Sequence, residues 1–308
     1  MKIFDLHCDT LLKKEPLAGN TGAIDLDRLP AGALYCQTFA MFVHDRYRGE
    51  AAVAVGEDLY SFFQSSLAAA AGRIRQVRTM GEVDQAFAAG ETAALLSVEN
   101  ATLLDGRLER LERLAARGVR LVGLTWNAAN ELGGGADAPA DAGLTAFGKE
   151  AIRRMEELGI VVDVSHANER TFWDAADWAV KPILASHSNA RAICAHRRNL
   201  SDSQIRRIAE GGGIIGLNYY LDFLRDDKKV TGWDDLLRHI EHILNVGGPG
   251  VLALGSDFDG AASPDFLVGP QDLPAFYEAV SGSSLGRDIA DRLFFDNAGE
   301  FFRRNLPA

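Results

Sequence analysis

The chain is short of cationic residues, of cysteine and of long apolar runs, and each shortage excludes a class of protein. Its 32 Lys and Arg stand against 43 Asp and Glu, a formal net charge of −11 over 308 residues. A phosphate backbone is bound by a cationic surface, so no nucleic-acid partner is expected. No apolar run approaches the ~20 residues of a membrane-spanning helix. Met1-Lys2 leads directly into an apolar stretch without a signal-peptide pattern, so no membrane association is expected. Cys8, Cys36 and Cys194 are scattered, with no CxxC or zinc-ribbon spacing. That pattern argues for a reducing, cytoplasmic setting.

What is present is ordinary globular composition, 47% hydrophobic and 24% charged. A chain of this length can bury a large core, and no repeat, linker or low-complexity stretch divides it. One domain over residues 1–308 is expected. Eight strand-like runs follow one another: Ile3–Thr10, Ala33–Val43, Thr92–Val98, Val119–Asn127, Gly159–His166, PILASHS to His187, GIIGLNYY, and Val251–Gly260. Most alternate with helical segments, among them one starting near Thr145, which suits an N-cap, and one over Ser201–Glu210. Several runs are apolar on both faces, as strands of a covered parallel sheet are. Eight strand–helix alternations predict an α/β fold of the (β/α)8 TIM-barrel type; an open doubly wound sheet fits the same alternation.

Polar residues recur at one place in this pattern. His7 and Asp9 end the first run, Glu99 the third, His166 the fifth, His187 the sixth and Asp257 the eighth. In a parallel barrel these C-terminal ends share a rim, where active sites of the fold are built. Singly, each has a plainer reading: a structural histidine, or a carboxylate capping a helix. Three imidazoles and three carboxylates on one rim point instead to a metal site, since both groups ligate divalent ions well.

These stretches also resemble the membrane (renal) dipeptidases, a branch of the metal-dependent hydrolase barrels. The resemblance rests on DLHCDT, LLSVENA, RLAARGVRLVGLTWN, GLTAFGKEAIRRMEELGIVVDVSH, PILASHSNARAICAHRRNLSD, GGIIGLNYY and LALGSDFDG, in family order from residue 5 to residue 260. It implies a hydrolase of small dipeptides with two divalent metal ions, usually zinc, and tolerance of a D-residue at the C-terminal position. His7 and Asp9 would hold one ion, His166 and His187 the other, and Glu99 would bridge them and serve catalysis. Asp257 matches the proton-transfer residue, and Arg198 falls where an arginine receives the substrate carboxylate. The family suggests a homodimer.

There is one departure. Where renal-type members carry a histidine after Leu-Thr, this chain has Trp126, with Asn127 as the nearest other donor toward substrate. Two rival readings follow: a same-fold hydrolase of N-acyl amino acids, lactones or cyclic amides, and a barrel that binds metal or peptide without catalysis.

Other patterns weigh less. Gly211–Gly216 fits GxGxxG but enters a strand, the wrong context for a dinucleotide site. His239 and His242, at i and i+3 on a helix, are expected on a solvated face. Asp163 and Asp259 are candidates for supporting the rim residues. The loops near 13–32 and 222–232 are expected to cover the site.

Overall fold

A computed structural model describes residues 1–307. Eight parallel strands make up the sheet: β1 (Lys2–Cys8), β2 (Leu34–Phe42), β3 (Ile74–Val77), β4 (Thr92–Glu99), β5 (Val119–Gly123), β6 (Val161–Asp163), β7 (Ile215–Leu217) and β8 (Leu252–Leu254). Seven of them run in the order β6-β5-β4-β2-β1-β8-β7. The segment following Pro182 closes the ring through parallel bridges Asp163↔Leu184 and Ala185↔Ile215. The expected barrel is therefore present.

Two details differ from the reading of the sequence. The sixth run, PILASHS, is a bridging segment and not a regular strand. Proline opens it without an N–H to give, and one residue pairs on each side before the chain turns into the rim. The turn is tight: a Cβ on Gly216 or on Gly255 would lie 1.9 or 2.0 Å from the Ser186 carbonyl oxygen, so both positions admit only glycine. The second difference is β3, which was not anticipated. Its four residues pair with Thr92–Leu95, on the first half of β4, while β5 takes the second half from Leu96 onward. With Arg75 and Gln76 at its centre, the strand is too short and too polar to show a period.

Alternation along the strands builds two cores. Phe4, Leu6, Cys36, Leu95, Leu121 and Ala253, from successive strands, pack inside the ring with Phe301 and Phe302 of the C-terminal helix Asn297–Asn305. Phe302 stacks on Phe4 with ring centroids 5.1 Å apart, which plugs the N-terminal end of the barrel. The opposite strand faces pack under the surrounding helices. Thr145 caps the helix Ala146–Glu157 by accepting from Gly148 N, as expected, and Ser201 with Gln204 forms a capping box on Asp202–Glu210. With one end plugged, only the C-terminal rim is free to hold a site.

Candidate metal centre and active site

The rim residues are delivered by irregular backbone at the strand ends. A regular ladder from Asp5↔Gln37 would set Cys8 opposite Ala40, but Cys8 faces Phe39. This bulge re-aims the end of β1 where His7 leaves it. Non-glycine residues take left-handed φ at Asn100 (70°), just after Glu99, at His166 (68°), at Asp257 (62°) and at Asp259 (68°). Each such residue costs about 1–3 kcal/mol, and such strain gathers at functional sites. Gly260 completes the turn, since a Cβ there would lie 2.1 Å from Asp9 Oδ2.

His7, Asp9, Glu99, His166 and His187 converge as buried side chains. Glu99 is shared: Oε2 lies 3.4 Å from His7 Nε2, and Oε1 lies 2.9 Å from His166 Nε2. Asp9 Oδ2 is 3.3 Å and Asp257 Oδ1 3.8 Å from the same His7 nitrogen. Ligand atoms of His7, Glu99 and His187 fall within 4.8 Å of one another, as do those of His7, Asp9 and Asp257. His166 Nε2 and His187 Nε2 are 2.9 Å apart.

Neighbouring groups fix which ring nitrogens are free. Asp163 Oδ2 accepts the Ser186 hydroxyl at 2.5 Å, so Ser186 Oγ accepts from His187 Nδ1 at 2.7 Å. Asn127 Oδ1 accepts from His166 Nδ1 at 3.0 Å. Both imidazoles thus turn Nε2 lone pairs inward, toward each other and toward Glu99. Acceptors facing acceptors call for a cation between them. Asp9 Oδ1, buried and without a hydrogen-bond partner, is a further unused acceptor. Nitrogen and oxygen donors in this arrangement fit divalent metal ions.

The electrostatics agree. Burial, and after it the charge of Asp9, raises Glu99 to about 8. Burial likewise raises Asp257 to about 7, against the pull of His7. Burial pushes His166 and His187 well below the usual imidazole range. At His7 burial acts the same way, but Asp9 and Glu99 outweigh it and the group lies well above that range.

Arg198 is buried beside this cluster. Its guanidinium donates to the His187 carbonyl at 3.3 Å and to Ser188 Oγ at 3.4 Å, and lies over the Phe223 ring at 5.3 Å. Nε has no partner, and burial lowers the group to about 10. Arg197, by contrast, is exposed and paired with Asp137 at 2.9 Å. A buried cation whose contacts are all neutral is prepared for an anion. Arg198, Asp9, Glu99, His166 and Asp257 border a cleft of about 540 Å³ that Trp126, Asn127, His44, Tyr220 and Phe223 also line.

Several secondary readings change. His239 and His242 do not share a solvated face. His239 is buried, accepting from Ala190 N (3.2 Å) on Nδ1 and facing the Leu224 carbonyl (3.0 Å) with Nε2. His242 pairs with Asp202 at 2.7 Å. Asp259 accepts from Thr10 Oγ1 and Ala23 N, both at 2.7 Å, and so anchors the loop after β1. Of the two expected covering loops, the second contributes Asp222 and Phe223 to the cleft lining and the first contributes nothing, the nearest lining residue being Leu12 just before it. The serine-hydrolase pattern GxSxG occurs once, at Gly282–Gly286, between two helices and without the strand–turn–helix context it requires. Ser186, Asn218 and His44 were missed. The only sequence signal for Ser186 was its place beside His187, directly after the bridged residue Ala185.

The sequence model of the membrane dipeptidases (peptidase family M19) matches residues 1–289. The chain belongs to that family. A Klebsiella pneumoniae protein, described only as uncharacterized in the pqqA 5′ region, is 36% identical over 240 residues, covering 75% of this chain and 89% of its own length. The crystal structure of dipeptidase AC, a metallopeptidase of family M19, superposes with a TM-score of 0.94 at 30% identity, over 100% of this chain and 99% of the other. A metallopeptidase from Rhodobacter sphaeroides, bound to a phosphinate mimic of the dipeptide L-Ala-D-Ala, gives a TM-score of 0.93 at 28% identity over 99% of both chains. As a member of this family the chain is a metallo-dipeptidase, a hydrolase of the peptide bond in dipeptides that depends on divalent metal.

Proposed function

We propose that the enzyme hydrolyses dipeptides with a free C-terminal carboxylate, using two zinc ions, and that it accepts a D-residue at the C-terminal position. The observation that carries this is the pair of inward Nε2 atoms on His166 and His187, set beside a carboxylate that reaches both halves of the cluster. His7 and Asp9 would hold one ion and His166 and His187 the other, with Glu99 contributing to both. Bound there, such ions supply Lewis acidity to the scissile carbonyl and to the attacking water.

The chain's own groups do the rest. Asn218 Nδ2 donates to Asp257 Oδ2 at 3.0 Å, which leaves Oδ1 on the side of His7 and the cleft. From there Asp257 takes the proton of the attacking water and returns it to the leaving amine. Arg198 receives the substrate carboxylate through a guanidinium whose Nε is uncommitted, and so fixes which bond lies over the cluster. Asn127 and Ser186 orient the two imidazoles. The D-residue tolerance is supported by the L-Ala-D-Ala mimic held by the Rhodobacter sphaeroides relative.

The test is turnover of dipeptides with L- or D-residues at the second position by zinc-loaded protein, with Asp257→Asn alongside. Hydrolysis of both series that is lost in the variant is expected. Turnover of the L-series alone would remove the stereochemical part of the proposal. Equal turnover of C-terminal amides would remove the role of Arg198.

A further inference from the structure

The cleft has two unlike sides, and the ring order sets them opposite each other. Counted around the barrel, β1, β2, β4, β5, β6, the segment Pro182–His187, β7 and β8 take positions one to eight. Arg198 and Phe223 follow positions six and seven. Phe42 and His44 follow position two, across the ring from the arginine, and Trp126 follows position four and packs back against them.

Those three rings form a wall. Trp126 meets Phe42 edge to face, with centroids 5.0 Å apart at 71°, and lies 4.8 Å from His44 and 6.1 Å from the ring of His166. The wall stands on a braced base. Asn100 Nδ2 donates to the Val43 carbonyl at 2.7 Å and to Asp45 Oδ1 at 3.1 Å, Asp45 Oδ2 accepts from Ala128 N at 2.7 Å, and Asn130 Nδ2 donates to Asn100 Oδ1 at 2.9 Å. The loops after β2, β4 and β5 are thereby tied together, and the aromatic faces are fixed before substrate arrives. Leu12, 42% exposed, also lines the cleft.

We propose that this wall is the subsite for the side chain of the substrate's N-terminal residue, and that it selects a large apolar or aromatic one. The inference rests on Arg198 taking the C-terminal carboxylate. With that end fixed and the scissile bond over the cluster, the N-terminal residue has only the far side of the cleft to occupy. A cationic side chain gains less there, because the nearby carboxylates are committed: Asp45 to Ala128 and Asn100, Asp137 to Arg197. Small side chains leave the rings of Trp126 and Phe42 facing water.

The experiment measures kcat/KM of zinc-loaded enzyme on Gly-, Ala-, Leu- and Phe-D-Ala, and in parallel the calorimetric affinity for phosphinate mimics of Gly-D-Ala and Phe-D-Ala. Phe is expected to exceed Gly by about tenfold to a hundredfold in both readouts. In Trp126→Ala the ratio is expected to collapse to within about threefold, and in the rim variant Leu12→Ser to fall part of the way. A wild-type preference for Gly or Ala, or an unchanged ratio in both variants, overturns the subsite. Failure to discriminate free dipeptides from their amides overturns the role of Arg198 instead. The phosphinate affinities decide the subsite even where turnover is absent.

Discussion

His166 and His187 face each other through Nε2 at 2.9 Å, while each has its Nδ1 engaged, on Asn127 and on Ser186. Two lone pairs at that separation repel, and the barrel holds them there through strained backbone and a hydrogen-bonded collar. The energy of that arrangement is recovered when a cation enters.

Removal of metal with a chelator is therefore expected to lower the melting temperature as well as to abolish turnover. Re-addition of zinc should restore both, since a ligand bound to the folded state at 1,000 times its Kd contributes about 4 kcal/mol. Metal analysis should find about two ions per chain and about one in His187→Ala. A melting temperature indifferent to zinc would contradict this account of the cluster.

Ser186 is not among the groups that would hold metal or substrate, yet it sets the tautomer of His187 through Asp163. Ser186→Ala is expected to weaken zinc binding about 10–100-fold, read by competition with a chelating dye. The fold should be retained, because the replacement is smaller and the carbonyl of residue 186 is untouched. Unaltered zinc affinity would reduce Ser186 to packing.

Arg198→Met should remove the selectivity for a free carboxylate. The wild type is expected to prefer a dipeptide over its C-terminal amide by roughly a hundredfold or more in kcat/KM, as for a buried charge pair. The variant should treat the two alike. Lysine is not expected to rescue it, for an ammonium cannot reproduce the planar fork.

His239 gives the stability a pH dependence of its own. Burial holds it down to about 4 from an ordinary 6.5, with the Leu224 carbonyl opposing. Nδ1 accepts from Ala190 N, so protonating it sets N–H against N–H. Between pH 6.5 and about 4 the unfolded chain binds a proton that the folded chain does not. This contribution is full above pH 6.5 and falls as the pH drops, by up to about 3 kcal/mol near pH 4. Denaturant unfolding of His239→Gln should show a lower plateau and a shallower slope across that window. An identical slope would assign the acid sensitivity elsewhere.

The primary sequence determined the ring and its chemistry. Runs apolar on both faces specify buried parallel strands, and His or acidic residues at their C-terminal ends fall on one rim whatever the loops do. The convergence of those rim side chains and the motif order behind the family assignment were legible for that reason. Tertiary structure alone decided the remainder. Ser186 orients His187 only because β6 carries Asp163 alongside, and β3 exists only because the first half of β4 leaves an edge that β5 does not reach. His44 carried no local pattern; it borders the cleft because Asn100 and Asp45 tie together three loops far apart in sequence. Strand periodicity is a local property with a fixed repeat. Hydrogen bonds between loops depend on distances that only the closed barrel sets.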